Sequence, residues 1–173
     1  MRTRELWQVC EEAPDYEVSN EGRVRKHHNH TIEMAQGRVQ DGTKTVSLTV
    51  DRMRRVFVLR RLVAQAFCEI PDSDCDTVIH LDADQNNCNA YNLAWRPRWF
   101  AWQYTRQFRK YIPDRYNIPV FNVNTGQVHP SVIAAGMVDG AIWTDIYASV
   151  LGGREIYPHG HVYIHATEVH NNL

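Results

Sequence analysis

Alternating apolar and polar positions dominate the first third of the chain and predict β-structure. The run YEVSNEGRVRK alternates around an Asn-Glu-Gly turn, which is typical of a hairpin. TKTVSLTV and RVFVLRR lie on either side of DRMR and predict a second hairpin. RRLVAQAFC then changes to helical spacing, with Leu62, Val63 and Ala66 on one side of a short amphipathic helix. The N-terminal part is therefore predicted to be β-rich, with one helix at its end.

The remaining chain predicts helices first and a small mixed unit afterwards. One helix is predicted from Asn89 or Tyr91 onward and another from Pro97, because proline is favoured in a first helical turn. IPDRYNIPV, with two prolines, predicts a linker. PVFNVNTGQVH predicts a hairpin with an Asn-Thr-Gly turn, and HGHVYIHA predicts a closing strand.

Between that hairpin and the closing strand, PSVIAAGMVDG and AIWTDIYASVLGG predict two short helices, each ended by glycine. Ser131 is the expected N-cap of the first helix, and Thr144 lies at or near the start of the second. Two short helices joined by a tight turn suggest a helix-turn-helix, and a small helical hairpin without a DNA role is the alternative.

Composition and the termini indicate a folded soluble protein. Of the 173 residues, 43% are hydrophobic and 10% aromatic, and no apolar run is long enough for a transmembrane helix. The N-terminal MRTRELWQVC lacks the core of a signal peptide, so we expect a cytoplasmic protein. The cysteines form no CxxC pair, which favours buried free thiols over a zinc site of paired cysteines: Cys10, Cys68, Cys75 and Cys88.

Charge is distributed unevenly although the net charge is only −1. Residues 67–95 hold six acidic side chains and no Lys or Arg, whereas residues 96–115 hold six Lys or Arg and one Asp. Residues 116–173 hold one Arg and four acidic side chains. A basic stripe beside an acidic pocket suits a protein that grips phosphates and holds a cation. An ordinary solvated surface is the alternative.

Three stretches together carry a family resemblance. IHLDADQNNCNAYNLAW resembles the DH-x-DGN-xx-NN-xxxNL-x-W core of phage and intron HNH homing endonucleases. YEVSNEGRVR followed by FVLRRLVAQAF resembles the module that precedes this core, and residues 119–165 resemble the C-terminal repeat in which a hairpin leads into a helix-turn-helix. The three modules follow one another in the order of that family, so the resemblance covers nearly the whole chain.

The resemblance implies an α+β fold. It places a β-rich DNA-binding module at residues 1–68 and a ββα HNH core with a basic helix at 69–112. A linker at 113–119 leads to a hairpin and helix-turn-helix module at 120–173.

The resemblance also assigns the core residues. His80 corresponds to the general base that activates water, and Asn92 to the asparagine that fixes the core loop or the base by hydrogen bonding. A single divalent metal stabilises the leaving oxygen in that family. A strand-end histidine satisfied by backbone groups is the alternative for His80.

The chain departs from the family at both metal positions. Ile79 precedes the base where the family has Asp, Glu or His, and Ala101 stands where a helix His or Asn is expected. We therefore expect no bound cofactor, and Mg²⁺ or Mn²⁺ only if the centre is active. Ala83 replaces the core glycine, which is unfavourable if that position needs a positive φ. The fallback metal ligands are Asp82, Asp84 and Gln103.

Basic and polar side chains supply candidate contacts to double-stranded DNA, through phosphates and base edges. Arg52 and Arg54 are two residues apart and are expected to share a strand face. The full set is Arg52, Arg54, Arg55, Arg60, Arg61, Arg96, Arg98, Arg106, Arg109, Lys110, Thr144 and Tyr147.

The leading hypothesis is a DNA-binding protein on an HNH homing endonuclease scaffold with a degenerate nuclease centre, acting as a sequence-specific regulator. One alternative is an active, divalent-metal-dependent nicking endonuclease with a relocated ligand. A second alternative is a protein-binding module on the same scaffold, with a protein partner on the acidic C-terminal module. No membrane partner is expected.

Overall fold

The structure, a computed structural model, describes residues 4–109 and 111–171 and divides into two compact units. The first unit ends at residue 101 and the second begins at residue 102, and each has its own hydrophobic core. Within the described ranges, none of the helices has the length and apolar character needed to cross a bilayer.

The first unit opens with a four-stranded antiparallel sheet in the order β1-β2-β3-β4. The predicted first hairpin is confirmed, with Val18 opposite Val24 across the Asn-Glu-Gly turn. Gly22 in this turn has a φ of 80°, and a Cβ there would lie 3.0 Å from the Cβ of Cys88, so glycine is needed for both conformation and space. The strands are β1 Trp7–Cys10, β2 Ala13–Ser19, β3 Val24–Lys26 and β4 Asn29–Glu33.

A second antiparallel sheet, in the order β5-β6-β7, contains the predicted second hairpin. Asp51 and Arg52 form its turn with φ angles of 52° and 63°, and a tight hairpin turn of this kind needs two positive φ values. Arg52 therefore lies in the turn and not on a strand face with Arg54, which corrects that expectation. The strands are β5 Gln36–Arg38, β6 Lys44–Val50 and β7 Met53–Val58.

The helix α1, Leu59–Phe67, follows β7 directly and confirms the predicted amphipathic segment. Leu62 and Val63 are buried, and Ala66 packs at the margin of the core. The helix contacts strands of both sheets, and its position between them makes it the centre of the first core. Apolar burial on one helix face therefore joins the two sheets.

A ββα unit completes the first compact unit and reaches into the second: β8 Thr77–His80, β9 Leu93–Arg96 and α2 Arg98–Gln107. The helix expected after Pro97 is confirmed. The helix expected from Asn89 or Tyr91 is wrong, because only one 3₁₀ turn, Ala90–Asn92, forms before the chain extends into β9.

The physical reason for this correction lies in tertiary contacts of β9. The strand pairs antiparallel with β8, which satisfies its backbone groups. The Trp95 indole is buried, and its Nε1 donates a hydrogen bond to the Ala64 carbonyl at 3.3 Å. These partners, β8 and the Ala64 carbonyl, are distant along the chain, so the local sequence does not predict them.

The second unit packs two helices against a three-stranded antiparallel sheet in the order β11-β10-β12. The predicted hairpin and both predicted helices are confirmed. Ser131 Oγ accepts from the Ala134 N–H at 3.0 Å, as expected of an N-cap. The elements are β10 Val120–Asn122, β11 Gln127–His129, α3 Val132–Asp139, α4 Trp143–Gly152 and β12 Tyr163–His165.

Glycine ends both helices of the second unit, with left-handed φ values of 61° at Gly140 and 64° at Gly153. The cap position of α4 is Ile142, whose side chain makes no capping bond, and Thr144 is the second helical residue. The stretch predicted as a linker contains one 3₁₀ turn, and its Tyr116 is buried in the second core.

Candidate functional site

His80 ends β8 and is largely enclosed, with 8% of its surface exposed. Its Nε2 lies 4.0 Å from the Cys88 Sγ. The pKa of His80 is lowered to about 4, first by burial and then by the positive charge of Arg60, against the opposing charges of Asp82 and Asp84. The imidazole is therefore neutral at pH 7 and can accept a proton, but it is a weaker base than a histidine whose pKa lies near the working pH.

Asn92 organises the loop that follows His80. Its Nδ2 donates to Asp82 Oδ1 and to the Asn87 carbonyl, each at 2.8 Å, and its Oδ1 accepts from the Asp82 N–H at 3.0 Å. The backbone of Asn92 also accepts from the Leu81 N–H at 2.8 Å. Asn92 is buried, so these bonds hold the loop in one conformation.

Ala83 sits in the same loop with a φ of 63°. The expected requirement for a positive φ at this position is therefore real, and alanine adopts it at a steric cost that glycine avoids. The Ala83 N–H donates to the His80 carbonyl at 3.2 Å, which closes the turn. The condition under which alanine was expected to be unfavourable here is therefore met.

The two positions where the resemblance expects metal ligands are apolar and buried. Ile79 is 3% exposed and Ala101 is 5% exposed. Neither side chain has an atom that can bind a divalent cation. The helix backbone at Ala101 donates to the Pro97 carbonyl, as in an ordinary first turn.

Two of the fallback ligands, Asp82 and Asp84, are engaged in the loop itself. Asp82 Oδ1 accepts from the Asp84 N–H and from Asn92 Nδ2, and its Oδ2 accepts from Asn87 Nδ2. Burial raises the pKa of Asp82, but these hydrogen bonds outweigh it and hold that pKa below its usual range. Asp84 Oδ1 accepts twice from Asn86. Gln103 is exposed on α2 in the second unit. In the part of the chain that the structure describes, His80, Asp82 and Asp84 do not form a cluster of three converging ligand atoms.

The β6–β7 hairpin presents an exposed basic edge, here defined as Arg52, Arg54 and Arg55. β7 is an edge strand, and Met53 through Val56 are exposed on it. None of the three guanidinium groups has an acidic partner among the described residues, and the same holds for exposed Arg61 on α1. Arg60 is half-buried and lowers the pKa of His80.

The predicted DNA contacts between Arg96 and Lys110 differ from one another in their exposure to solvent. Arg96 does not fit a DNA-contact role, because it is 4% exposed and its Nη1 donates to the Trp95 carbonyl. Arg98, Arg106 and Arg109 are exposed, and the Arg106 guanidinium stacks on the Trp102 ring at 4.1 Å. Lys110 lies outside the described residues.

On α4, Thr144 is exposed, whereas Tyr147 is half-buried and packs against Tyr116 with ring centroids 5.4 Å apart. Asp145 on the same helix faces Arg154 at 3.9 Å, so the only Lys or Arg of residues 116–173 has an acidic neighbour. Residues 116–173 therefore offer little free positive charge in the part that the structure describes.

Glu17, His27 and His30 form a cluster that was not predicted from the sequence, and their potential ligand atoms all lie within 4.8 Å of one another. The signal for it was the dense histidine run HHNH at residues 27–30. Glu17 comes from a different strand, so its participation is visible only in the fold.

Comparisons with known proteins agree with the resemblance described above. Residues 5–49 match the NUMOD4 motif, which is found in HNH endonucleases. An uncharacterized HNH endonuclease of Acanthamoeba polyphaga mimivirus is 31% identical over 81 residues, which are 47% of this chain and 24% of that protein. The match thus spans about a quarter of the length of that relative.

A structure described as DNA binding and cleavage by the HNH homing endonuclease I-HmuI matches with a TM-score of 0.54 at 21% identity, over 92% of this chain and 97% of that one. The expected α+β fold of an HNH homing endonuclease is therefore confirmed.

Proposed function

We propose that this protein binds double-stranded DNA on an HNH homing endonuclease scaffold whose nuclease centre does not cleave, and that it acts as a sequence-specific regulator. The observation that carries the proposal is the pair of buried apolar side chains, Ile79 and Ala101, at the positions where metal ligands are expected. The I-HmuI structure is described as DNA binding and cleavage by that endonuclease, and the shared fold supports the binding half of that activity.

Catalysis without a metal is expected to be slow by many decades. A general base alone contributes roughly 10²–10⁴-fold to a rate. Stabilisation of the developing phosphate charge by a metal is worth several kcal/mol, and each ~1.36 kcal/mol is about tenfold in rate. The pKa of about 4 weakens His80 further as a base at neutral pH. Asp82 and Asp84, which could hold Mg²⁺ or Mn²⁺ in place of the missing ligands, are already hydrogen-bonded within the loop.

DNA binding is assigned first to the basic edge of the β6–β7 hairpin. A two-stranded ribbon fits the major groove, and unpaired arginines can contact phosphates or guanine edges. The expected result is a gel shift at low salt whose salt slope falls by about two when both Arg54 and Arg55 become Gln. Arg23→Gln is the matched control, because Arg23 is ion-paired to Glu5 and Glu33.

The absence of any shift at low salt, or an equal loss in Arg23→Gln, would refute DNA binding through this edge. In that case a protein partner on the acidic C-terminal module, residues 120–173, becomes the better candidate, and a nuclease-resistant pull-down with the full chain tests it. Sequence specificity is measured by competition with random DNA, and a regulator requires preference for one site.

The proposal that the nuclease centre does not cleave DNA is tested by a plasmid-nicking assay in Mg²⁺ or Mn²⁺. We expect no nicking by the native chain and none by His80→Ala. Nicking that disappears both with EDTA and in His80→Ala would establish the active alternative. The double variant with Ile79→Asp and Ala101→Asn restores ligand types to the two positions, and its melting temperature with and without Mg²⁺ reports whether it folds and binds metal.

A further inference from the structure

Glu17, His27 and His30 form a compact group on one side of the N-terminal sheet, away from the ββα unit in sequence. His27 Nδ1 lies 3.0 Å from Glu17 Oε1, and His30 Nε2 lies 3.6 Å from Glu17 Oε2. The three potential ligand atoms all fall within 4.8 Å of one another. A tetrahedral zinc ion with nitrogen and oxygen ligands at 2.0–2.2 Å needs about 3.3 Å between ligand atoms, so small side-chain rotations suffice.

The backbone fixes two members of the group independently. Glu17 lies in β2, and its side chain is only 11% exposed. His27 follows β3, and its N–H donates to the Asp15 carbonyl on β2 at 2.8 Å. His30 lies on β4 with a side chain 57% exposed, so the group has one open side from which an ion can enter.

The charge of the group suits a cation. Burial raises the pKa of Glu17, but hydrogen bonds from His27 and Arg25 outweigh it and hold that pKa below its usual range, so the carboxylate is ionised. Two imidazoles and one carboxylate are the ligand types of zinc sites with an open fourth position. Arg25 Nε donates to Glu17 Oε2 at 2.7 Å, whereas the partner of Oε1 is His27, itself one of the three residues. Oε1 therefore becomes available to an ion once His27 Nδ1 binds that ion.

We propose that Glu17, His27 and His30 form a binding site for a transition-metal ion such as Zn²⁺, with water as the fourth ligand. All five residues of β4 are exposed, and β4 is held to the sheet by its pairing with β3, where the register shifts between Arg25 and Lys26. An ion bound by His30 ties β4 to β2 across the intervening strand. None of the three residues belongs to the ββα unit or to the basic edge of the β6–β7 hairpin.

The test is calorimetric titration of the full chain with Zn²⁺, compared across matched variants. His30→Ala is expected to weaken binding by at least ~10-fold, since even partners of metal ligands typically contribute that much. His28→Ala is the control, because His28 is an exposed neighbour in the same turn and is not among the three converging residues. Its affinity is expected to stay within about twofold of the native value.

Two further measurements separate the outcomes. Glu17→Gln is expected to weaken binding as His30→Ala does, because it removes the anionic ligand. Hydrogen exchange of the β4 amides is expected to slow when Zn²⁺ is added to the native chain and to stay unchanged in His30→Ala. Equal losses in His28→Ala and His30→Ala, or full affinity in Glu17→Gln, would overturn the proposal in favour of chelation by an exposed histidine run. Unchanged affinity in His30→Ala would place any bound zinc elsewhere, such as at a cysteine.

Discussion

Replacement of Asn92 by alanine tests the inference that this buried side chain maintains the loop after His80. Asn92→Ala removes one hydrogen bond to the Asp82 carboxylate and two to backbone groups of Asp82 and Asn87. A bond to a charged group is worth about 1.5–3 kcal/mol and a neutral one about 0.5–1.5 kcal/mol. Because Asp82 is exposed and Asn87 half-buried, water replaces part of these bonds, and we expect a loss of about 2–4 kcal/mol.

The assay is denaturant unfolding of the full chain, with far-UV circular dichroism and amide exchange of the β8–β9 region as readouts. Asn86→Ala is the matched control, since Asn86 is exposed and its side chain donates to Asp84 in the same loop. Its cost should stay below about 1 kcal/mol. Asn92→Asp should be at least as harmful as Asn92→Ala, because it sets a second carboxylate against Asp82. The reasoning fails if Asn92→Ala costs less than about 1 kcal/mol or no more than Asn86→Ala.

Three further predictions follow from the same structure. The pKa of His80 is about 4 in the folded protein, below its ordinary value of 6.5, so its contribution to stability is complete above pH 6.5 and is lost as pH falls toward 4, by up to about 3 kcal/mol. The free energy of unfolding in urea should therefore depend less on pH in His80→Gln across this range. An unchanged pH dependence in that variant would contradict the burial of a neutral imidazole. Gly136→Ala should destabilise the second unit by about 1–3 kcal/mol, because the new Cβ would lie 2.5 Å from Trp143 Cδ1. Gly152→Ala is the control, because a Cβ there meets open space, and it should be neutral or stabilising. Thermal melts compare the two variants, and similar losses in Gly136→Ala and Gly152→Ala would refute the steric account. Ala83→Gly should leave the free energy of unfolding unchanged or raise it by up to about 1 kcal/mol, since relief of the left-handed strain offsets the entropy cost of glycine. A clear loss of stability would argue against strain at the φ of 63°.

Local pattern was enough for most elements of the fold. The two N-terminal hairpins, α1 and the paired helices of the second unit were all predicted from alternation, helical spacing, Ser131 and the terminal glycines. These signals are short in range: a turn, a cap or an amphipathic face is determined by neighbours along the chain. The order of the three segments and the core sequence then identified the HNH homing endonuclease fold, which the solved structure matches.

Local pattern failed where a segment depends on distant partners. LAWR was predicted as helix because nothing nearby opposes it, yet pairing with β8 and burial of Trp95 against α1 make it a strand. Arg96 was predicted to contact DNA because it lies in a basic segment, but it is buried and does not reach the surface. Arg52 and Arg54 have the spacing of a shared strand face, but Arg52 lies in the hairpin turn and β7 begins only at Met53.

By itself, the sequence determined the succession of elements, the core asparagine and histidine, and the two apolar residues that replace metal ligands, because each is a property of residue type and spacing. Tertiary structure decided how those residues are used. The folding of β8 against β9 encloses His80 and lowers its pKa, and it brings Asn92 onto the loop at Asp82. The pairing of β2 with β3 brings Glu17 to His27 and His30, because strand register joins residues that lie ten or more positions apart along the chain.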